Sequence, residues 1–266
     1  VLYSGLINGD SFSGSYSGTF NNANVGAGKT VTISSSYSGD DISNYSVTSQ
    51  SSTTASIVKK SLTASATASN KTYNGNTTAT TTLSFSGLVG SETLGQSVSS
   101  TFNNKNVGTG KTVTVNSITL SDGSNGGVAS NYSISSGQTT TANITTKALT
   151  VSGITASNKT YDGNTVVTLD LTGTSYSGLV SGDDVSISAS GSFDNKNVGT
   201  GKTVNISSSY SGSDVGNYSI TDQATTTANI TANVSGITVR GITASNKTYD
   251  GNNSATLDTS NVSYSG

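Results

Sequence analysis

Polar and β-branched residues alternate along much of this 266-residue chain. Lys111-Thr112-Val113-Thr114-Val115 and Lys202-Thr203-Val204-Asn205-Ile206 place an apolar side chain at every second position. That period sets one face of a strand against a core and the other in water. Ala, Leu, Glu, Lys and Arg are too sparse and scattered for any long helix. Turn signals fall between the alternating runs. Asn74-Gly75, Asp162-Gly163 and Asp250-Gly251 are pairs in which both members tolerate positive φ, and they predict hairpins. Gly108, Gly110, Gly199 and Gly201 predict a tight loop leading into the strand that follows.

The same strings recur in a fixed order. Lys-Thr-Tyr-Asp/Asn-Gly-Asn starts at Lys71, Lys159 and Lys247, about 88 residues apart each time. Phe-Asn/Asp-Asn-x-Asn-Val-Gly-x-Gly-Lys-Thr-Val starts at Phe20, Phe102 and Phe193, and Asn-Tyr-Ser-Val/Ile at Asn44, Asn131 and Asn217. A threonine-rich closing strand follows, as in Thr225 to Ile230. Tyr3-Ser4-Gly5-Leu6 matches Tyr176-Ser177-Gly178-Leu179, and Tyr264-Ser265-Gly266 falls at the same phase. The phase predicts the C-terminal part of one module (1–58), complete modules at 59–146 and 147–232, and the N-terminal part of another (233–266). Asn143 to Val151 passes from a closing strand into an opening one with no Pro- or Gly/Ser-rich spacer, which predicts a stiff rod.

Several short strands per module, at intervals of roughly ten residues, predict an all-β fold: a tandem array of immunoglobulin-like antiparallel β-sandwiches of about 88 residues. Asp214-Val215-Gly216-Asn217-Tyr218-Ser219-Ile220 resembles a tyrosine corner, whose hydroxyl bonds back to backbone a few residues upstream. Tyr45 and Tyr132 fall at the same place. The preceding acid is kept at Asp41 and replaced by Val128 in the middle copy. The alternative is a parallel β-helix, which needs a coil every 20–30 residues or so. No such sub-period is visible.

Composition narrows function. The chain has no Cys, His, Met, Trp or Pro; hydrophobic residues make up 31 % and charged residues 10 %. So small an apolar share predicts several thin cores and not one large one. The formal net charge of −2 offers little to phosphates, so nucleic acid is not an expected partner. No apolar run approaches the roughly 20 residues of a membrane helix, so membrane insertion is not expected. The Ser/Thr/Gly/Asn bias and the missing cysteine point to an extracellular or cell-surface protein that crosses a pore unfolded.

Lys159-Thr160-Tyr161-Asp162-Gly163, Lys196-Asn197-Val198-Gly199-Thr200-Gly201-Lys202 and Gly216-Asn217-Tyr218 together resemble the YDG-type repeat of filamentous-haemagglutinin-like bacterial surface adhesins. The resemblance covers essentially the whole chain, and the middle copy reads Tyr73-Asn74-Gly75. It implies a stalk region of a large surface protein exported by two-partner secretion.

Candidate chemistry is sparse. Without His or Cys, the usual bases and thiols of nucleophilic catalysis are missing, so no catalytic residues and no enzyme are expected. Asp40-Asp41 and Asp183-Asp184 are the candidate calcium clusters; two carboxylates each fit solvated turns better, so no metal or cofactor is expected. Lys71, Lys159 and Lys247 recur beside the turn, where a Lys–Asn isopeptide crosslink competes with a simple strand-edge lysine that discourages aggregation. Asn70, Asn131, Asn158, Asn217 and Asn246 head Asn-x-Ser/Thr sequons, common by chance in so Ser/Thr-rich a chain.

These features predict a structural stalk or fibre segment supporting adhesion, biofilm or sheath formation, with adjacent copies of the repeat as partners. The near-identity of copies favours it: Gly153 to Asn164 repeats unchanged at Gly241 to Asn252. The alternative is a carbohydrate- or host-protein-binding module using Tyr16, Tyr37, Tyr176 and Tyr210, all in Tyr-Ser-Gly contexts.

Overall fold

The computed structural model describes residues 3–266; Val1 and Leu2, which open the 1–58 stretch, lie outside the described residues. Among the described residues there are strands, turns and three short 3-10 turns, and no α-helix. The expected all-β class is what the chain adopts. It divides into two compact units, one of Val1–Thr72 and Asn76–Thr145, the other of Tyr73–Gly75 and Thr146–Gly266.

In the first unit, Ser13–Phe20, Gly26–Ser38 and Ser52–Ile57 form an antiparallel three-stranded sheet. Farther along, a five-stranded sheet runs in the order Lys71–Thr72, Thr139–Thr145, Gly108–Asp122, Leu94–Phe102, Thr78–Ala79. The second unit builds the same sheet from Lys159–Thr160, Thr225–Thr231, Gly199–Ser211, Ser186–Phe193 and Val166–Val167. In each, the two edge strands are consecutive in sequence, joined by the Tyr-Asp/Asn-Gly turn. The sheet therefore curls back on itself until its edges nearly meet, a barrel-like feature beyond the sequence expectation.

The alternation places the core as expected. Val204 stands opposite Phe193 in the hairpin register, and both pack with Val167, Ala228 and Ile230, flanked by Ala156 and Leu169. Phe102, Val113, Ala142 and Ile144 are buried at the same places in the middle repeat. A buried Val, Ile or Phe contributes roughly 1.5–3 kcal/mol, so such a core is small.

Two features differ from the sequence expectation. Pairing is not all antiparallel: Lys147–Ser152 lies parallel to Tyr218–Thr221 and Lys159–Thr160 parallel to Thr225–Thr231. Lys60–Ser61 with Tyr132–Ser133, and Lys71–Thr72 with Thr139–Thr145, repeat this in the first unit. First and last strands of a repeat lie some seventy residues apart, so no hairpin dictates their relative direction. Nor do the Asp/Asn-Gly turns make hairpins. Lys159 pairs with Ile230, while Val166 pairs with Ser192 at the far edge. Gly163 does take φ +81°, but the turn spans the sheet's seam and is not closed by a ladder.

Residues 233–266 form two nested antiparallel strand pairs, Thr238–Arg240 with Ser263–Ser265 and, inside it, Thr243–Ala244 with Leu257–Asp258. Their registers copy Thr150–Ser152 with Ser175–Ser177 and Thr155–Ala156 with Leu169–Asp170.

Candidate functional site

The recurrent strings converge on three polar devices, one set per repeat. The first is a lysine clasp over the seam. Lys159 Nζ donates to Asn164 Oδ1 (2.9 Å), Asn164 O (3.3 Å) and Val166 O (3.0 Å), and ion-pairs with Asp162 at 2.7 Å. That hydrogen bond to Lys159 holds the Asp162 carboxyl below the usual carboxylate range. Lys71 makes the same contacts with Asn76 and Thr78, and Lys247 with Asn252. The Lys159 side chain is only 15 % exposed. These are not free edge lysines: the ammonium takes up carbonyls that strand pairing leaves at the seam, and so blunts two edges at once. Lys71 lies amid enough protein that burial lowers its pKa, and its ammonium stands 5.4 Å from the Phe102 ring centroid.

The second device is the Asn-Val-Gly-x-Gly-Lys loop. Lys202 reaches back to Asn195 Oδ1 (2.7 Å) and Asp194 (3.0 Å), depressing the Asp194 pKa; Lys29 and Lys111 hold Asn22 and Asn104 alike. A register shift between Gly199 and Lys202 forms the bulge, with Gly201 at φ +58° and its N–H on Asn229 Oδ1 at 2.7 Å. A Cβ on Gly201 would meet nothing within 4 Å, so backbone conformation and not crowding calls for glycine there.

The third device centres on the Asn-Tyr-Ser tyrosines. Each follows a 3-10 turn: Ile42–Asn44, Ala129–Asn131 or Val215–Asn217. The Tyr218 hydroxyl accepts from Val180 N (2.9 Å) and donates to Asp183 Oδ2 (2.5 Å). Tyr132 joins Val89 N and Glu92, and Tyr45 joins Ile7 N and Asp10. Burial first, then the bond to Asp183, push the Tyr218 pKa up to about 12. The bonds to Glu92 and Asp10 raise Tyr132 and Tyr45. These hydroxyls thus pin a loop roughly forty residues upstream, not the nearby backbone of a tyrosine corner. In the second unit Tyr73 adds its own hydroxyl to Asp183 (2.8 Å) and stacks edge-on against Tyr218.

Repeats are also joined string to string. Within the first unit, Asn131 Oδ1 accepts from Val25 N (2.8 Å) and its Nδ2 donates to Asn24 Oδ1 (3.0 Å). An Asn-Tyr-Ser asparagine thereby grips the Asn-Val-Gly loop of the preceding repeat.

Most of the remaining candidates are occupied internally. Asp41 accepts from Ser11 N, and Asp184 accepts from Ser213 N while its own N–H meets Asp214. The two acidic pairs turn out to be opposite sides of one recurring site, since Ser11 is the repeat counterpart of Asp184 and Asp214 that of Asp41. Where the middle repeat has Val128, Asp122 caps the turn through Ala129 N. Among the described residues, no three acidic side chains gather where they would hold a metal. Asn70 and Asn158 accept from the backbone of Asn143 and Asn229, Asn217 is buried, and Asn246 is exposed. Of the aromatic candidates, Tyr210 donates to Asp222, Tyr37 meets Ser49, Tyr176 is half-buried opposite Val151, and Tyr16 is exposed beside Tyr3.

A family model described as the YDG domain matches residues 1–55, 58–142 and 145–228. The chain belongs to the YDG-domain family. Searches of curated proteins and of solved structures returned no match. The triplet behind the family's name sits in the seam turn, with Gly at positive φ and, at Asp162 and Asp250, the acid on the clasp lysine. In this YDG chain Tyr73 is buried, whereas Tyr249 is 93 % exposed. Asn74 replaces the acid in the middle copy, and the Lys71 clasp forms without it.

Asp10 and Glu92 escaped the sequence reading, and Asp183 was read there as a calcium candidate and not as a tyrosine partner. Their signal was present as a fourth in-phase string: Gly5-Leu6-Ile7 to Asp10, Gly87-Leu88-Val89 to Glu92 and Gly178-Leu179-Val180 to Asp183.

Proposed function

We propose that this YDG chain is a load-bearing stalk or fibre segment of a bacterial cell-surface or extracellular filament, serving adhesion, biofilm or sheath formation. The observation that carries the reading is the direction of the terminal strands. The first strands of a repeat, Lys147–Ser152 and Lys159–Thr160, lie parallel to its last, Tyr218–Thr221 and Thr225–Thr231. Tension applied through a repeat's two ends pulls such neighbours in opposite directions along their length. Their hydrogen bonds then bear load together in shear instead of opening one after another. The lysine clasps and tyrosine–carboxylate bonds sit beside these pairs and resist the same displacement.

Export by two-partner secretion, and kinship with filamentous-haemagglutinin-like adhesins, belong to the same proposal. They rest on the shared strings and on a composition without cysteine. Single-molecule stretching tests the load-bearing reading. A repeat of about 88 residues should release roughly 300 Å of chain as it gives way, from about 3.3–3.6 Å per extended residue. Equal steps of that size, at forces well above those that open a hairpin, support the proposal. Smooth extension without steps refutes it.

A further inference from the structure

Two phenols of the second unit share one carboxylate oxygen. Tyr73 donates to Asp183 Oδ2 at 2.8 Å and Tyr218 to the same atom at 2.5 Å. Their rings meet edge-on, with centroids 5.6 Å apart and planes 77° apart. Hydroxyls that converge on one point bring together the ring carbons ortho to them. The arrangement is fixed from both sides. The Tyr218 hydroxyl also accepts from Val180 N, and the turn Tyr73–Gly75 presses on the same residue: a Cβ on Gly75, at φ +80°, would stand 2.7 Å from Val180 Cγ1. Tyr73 is 1 % and Tyr218 7 % exposed, whereas Asp183 is half-buried and reaches water.

This geometry suits one-electron chemistry. A phenol that loses an electron becomes a strong acid, so the electron leaves readily only where a base stands ready for the proton. Asp183 is that base for both rings. Burial then shields the resulting radicals from solvent, and the fixed contact holds them where they can meet. Other tyrosines lie close together without this feature. Tyr16 meets Tyr37 ring to ring at 6.1 Å and Tyr3 hydroxyl to hydroxyl at 3.0 Å, but their hydroxyls bond each other and Ser49, not a carboxylate.

We propose that Tyr73 and Tyr218 are an oxidative crosslinking site, where a one-electron oxidant of the peroxide-derived radical class joins the two rings through a carbon–carbon bond. One equivalent of oxidant takes an electron from Tyr218, whose proton passes to Asp183 and on to water. A second equivalent takes an electron from Tyr73, and its proton follows the same path. The two phenoxyl radicals couple at the carbons ortho to their oxygens. The hydrogen on each coupled carbon leaves as a proton while a proton returns to each oxygen, so both phenols are restored. The net change is the loss of two protons and two electrons, with two equivalents of oxidant reduced. The new bond ties the turn at Tyr73–Gly75 covalently to the strand Tyr218–Thr221. The chemistry needs only this pair and stands apart from the load-bearing reading.

The test is limited oxidation of the dilute 266-residue chain by photogenerated tris(bipyridyl)ruthenium(III), with persulfate as terminal acceptor. The single chain should lose the mass of two hydrogen atoms and gain dityrosine fluorescence. Its digest should hold a peptide pair joined between Tyr73 and Tyr218, formed ahead of any that joins Tyr16 to Tyr3 or Tyr37. Tyr73→Phe keeps the ring and Asp183, and should abolish that pair while leaving the surface pairs unchanged. Asp183→Asn keeps an acceptor oxygen but no base, and should slow the 73–218 crosslink roughly a hundredfold. Near-ultraviolet circular dichroism matching the parent's shows that its aromatic packing is intact. A parent chain whose surface tyrosines are consumed while Tyr73 and Tyr218 stay separate overturns the proposal. So does an intact Asp183→Asn chain that crosslinks the pair at the parent's rate. Stretching of the unoxidised chain decides the load-bearing reading separately, whatever this experiment gives.

Discussion

Replacing Lys159 by Met tests whether the clasp holds the sheet's seam. The stem is preserved, and what goes is the ammonium with its bonds to Asn164 Oδ1, Asn164 O and Val166 O. Each such bond is worth about 0.5–1.5 kcal/mol net, and more when one partner is charged. Water reaches part of the site, because the side chain is 15 % exposed, and satisfies some of the released acceptors. The loss should come to about 2–3 kcal/mol. The ion pair with Asp162, which is half-exposed, adds little because solvent screens it. Lys71→Met is the companion variant: Asn74 stands in the acid's place, so it removes the same carbonyl and amide bonds without an ion pair to the turn, together with the Phe102 ring contact. The readout is amide hydrogen exchange over Lys159–Val166 and Thr225–Thr231, since a chain of several units does not unfold in one step. A loss of about 2 kcal/mol raises local exchange roughly 30-fold, at 1.4 kcal/mol per factor of ten. Exchange within threefold of the parent at both strands would show that the turn and the ladder hold the seam without the lysine.

The tyrosine–carboxylate bonds predict alkaline sensitivity. Burial and Asp183 raise Tyr218 to about 12, and burial and Asp222 do the same for Tyr210. A hydroxyl whose pKa is higher folded than unfolded holds its proton longer in the native state, so its contribution is complete below about pH 10 and lost as pH climbs through about 12. Tyr218→Phe should lower Tm at pH 8 yet flatten its fall between pH 10 and 12; parallel curves for parent and variant would contradict the assignment. The clasp geometry predicts that no Lys–Asn crosslink forms, because the Lys159 ammonium already donates to two carbonyls, an amide oxygen and a carboxylate and has no free pair to attack with. Intact mass should show no loss of ammonia, and a deficit would show that a crosslink forms despite these bonds.

What could be read from the chain was local. Alternation at Val113 and Val115 or Val204 and Ile206 located strands and core, because period two is a property of five consecutive residues. The parallel union of Lys159 with Ile230 was out of reach, because a sheet edge accepts either direction and no turn links the pair. The Asp-Gly turn misled for a related reason. Its glycine conformation was right, but a turn says nothing of whether its flanking strands pair with each other or with opposite edges of one sheet. Tyr218 and Asp183 lie 35 residues apart and meet only once the fold exists. Their in-phase recurrence was the sole sequence trace of that bond.

The thin core explains why these bonds recur. Five buried side chains per curled sheet stabilise little, and small domains ordinarily add disulfides or metals to make up the difference. This chain has neither cysteine nor histidine to do so. A clasp lysine, a loop lysine and a tyrosine–carboxylate pair supply crosslinks of the same topology, each closing a contact that strand pairing alone leaves open. Such bonds form without oxidant or ion and re-form after rupture. A disulfide broken under load does not re-form without redox chemistry. Recoverable polar crosslinks spread over every copy thus do part of the work of a larger core, and the lysines, asparagines and tyrosines that make them recur in each copy of the strings.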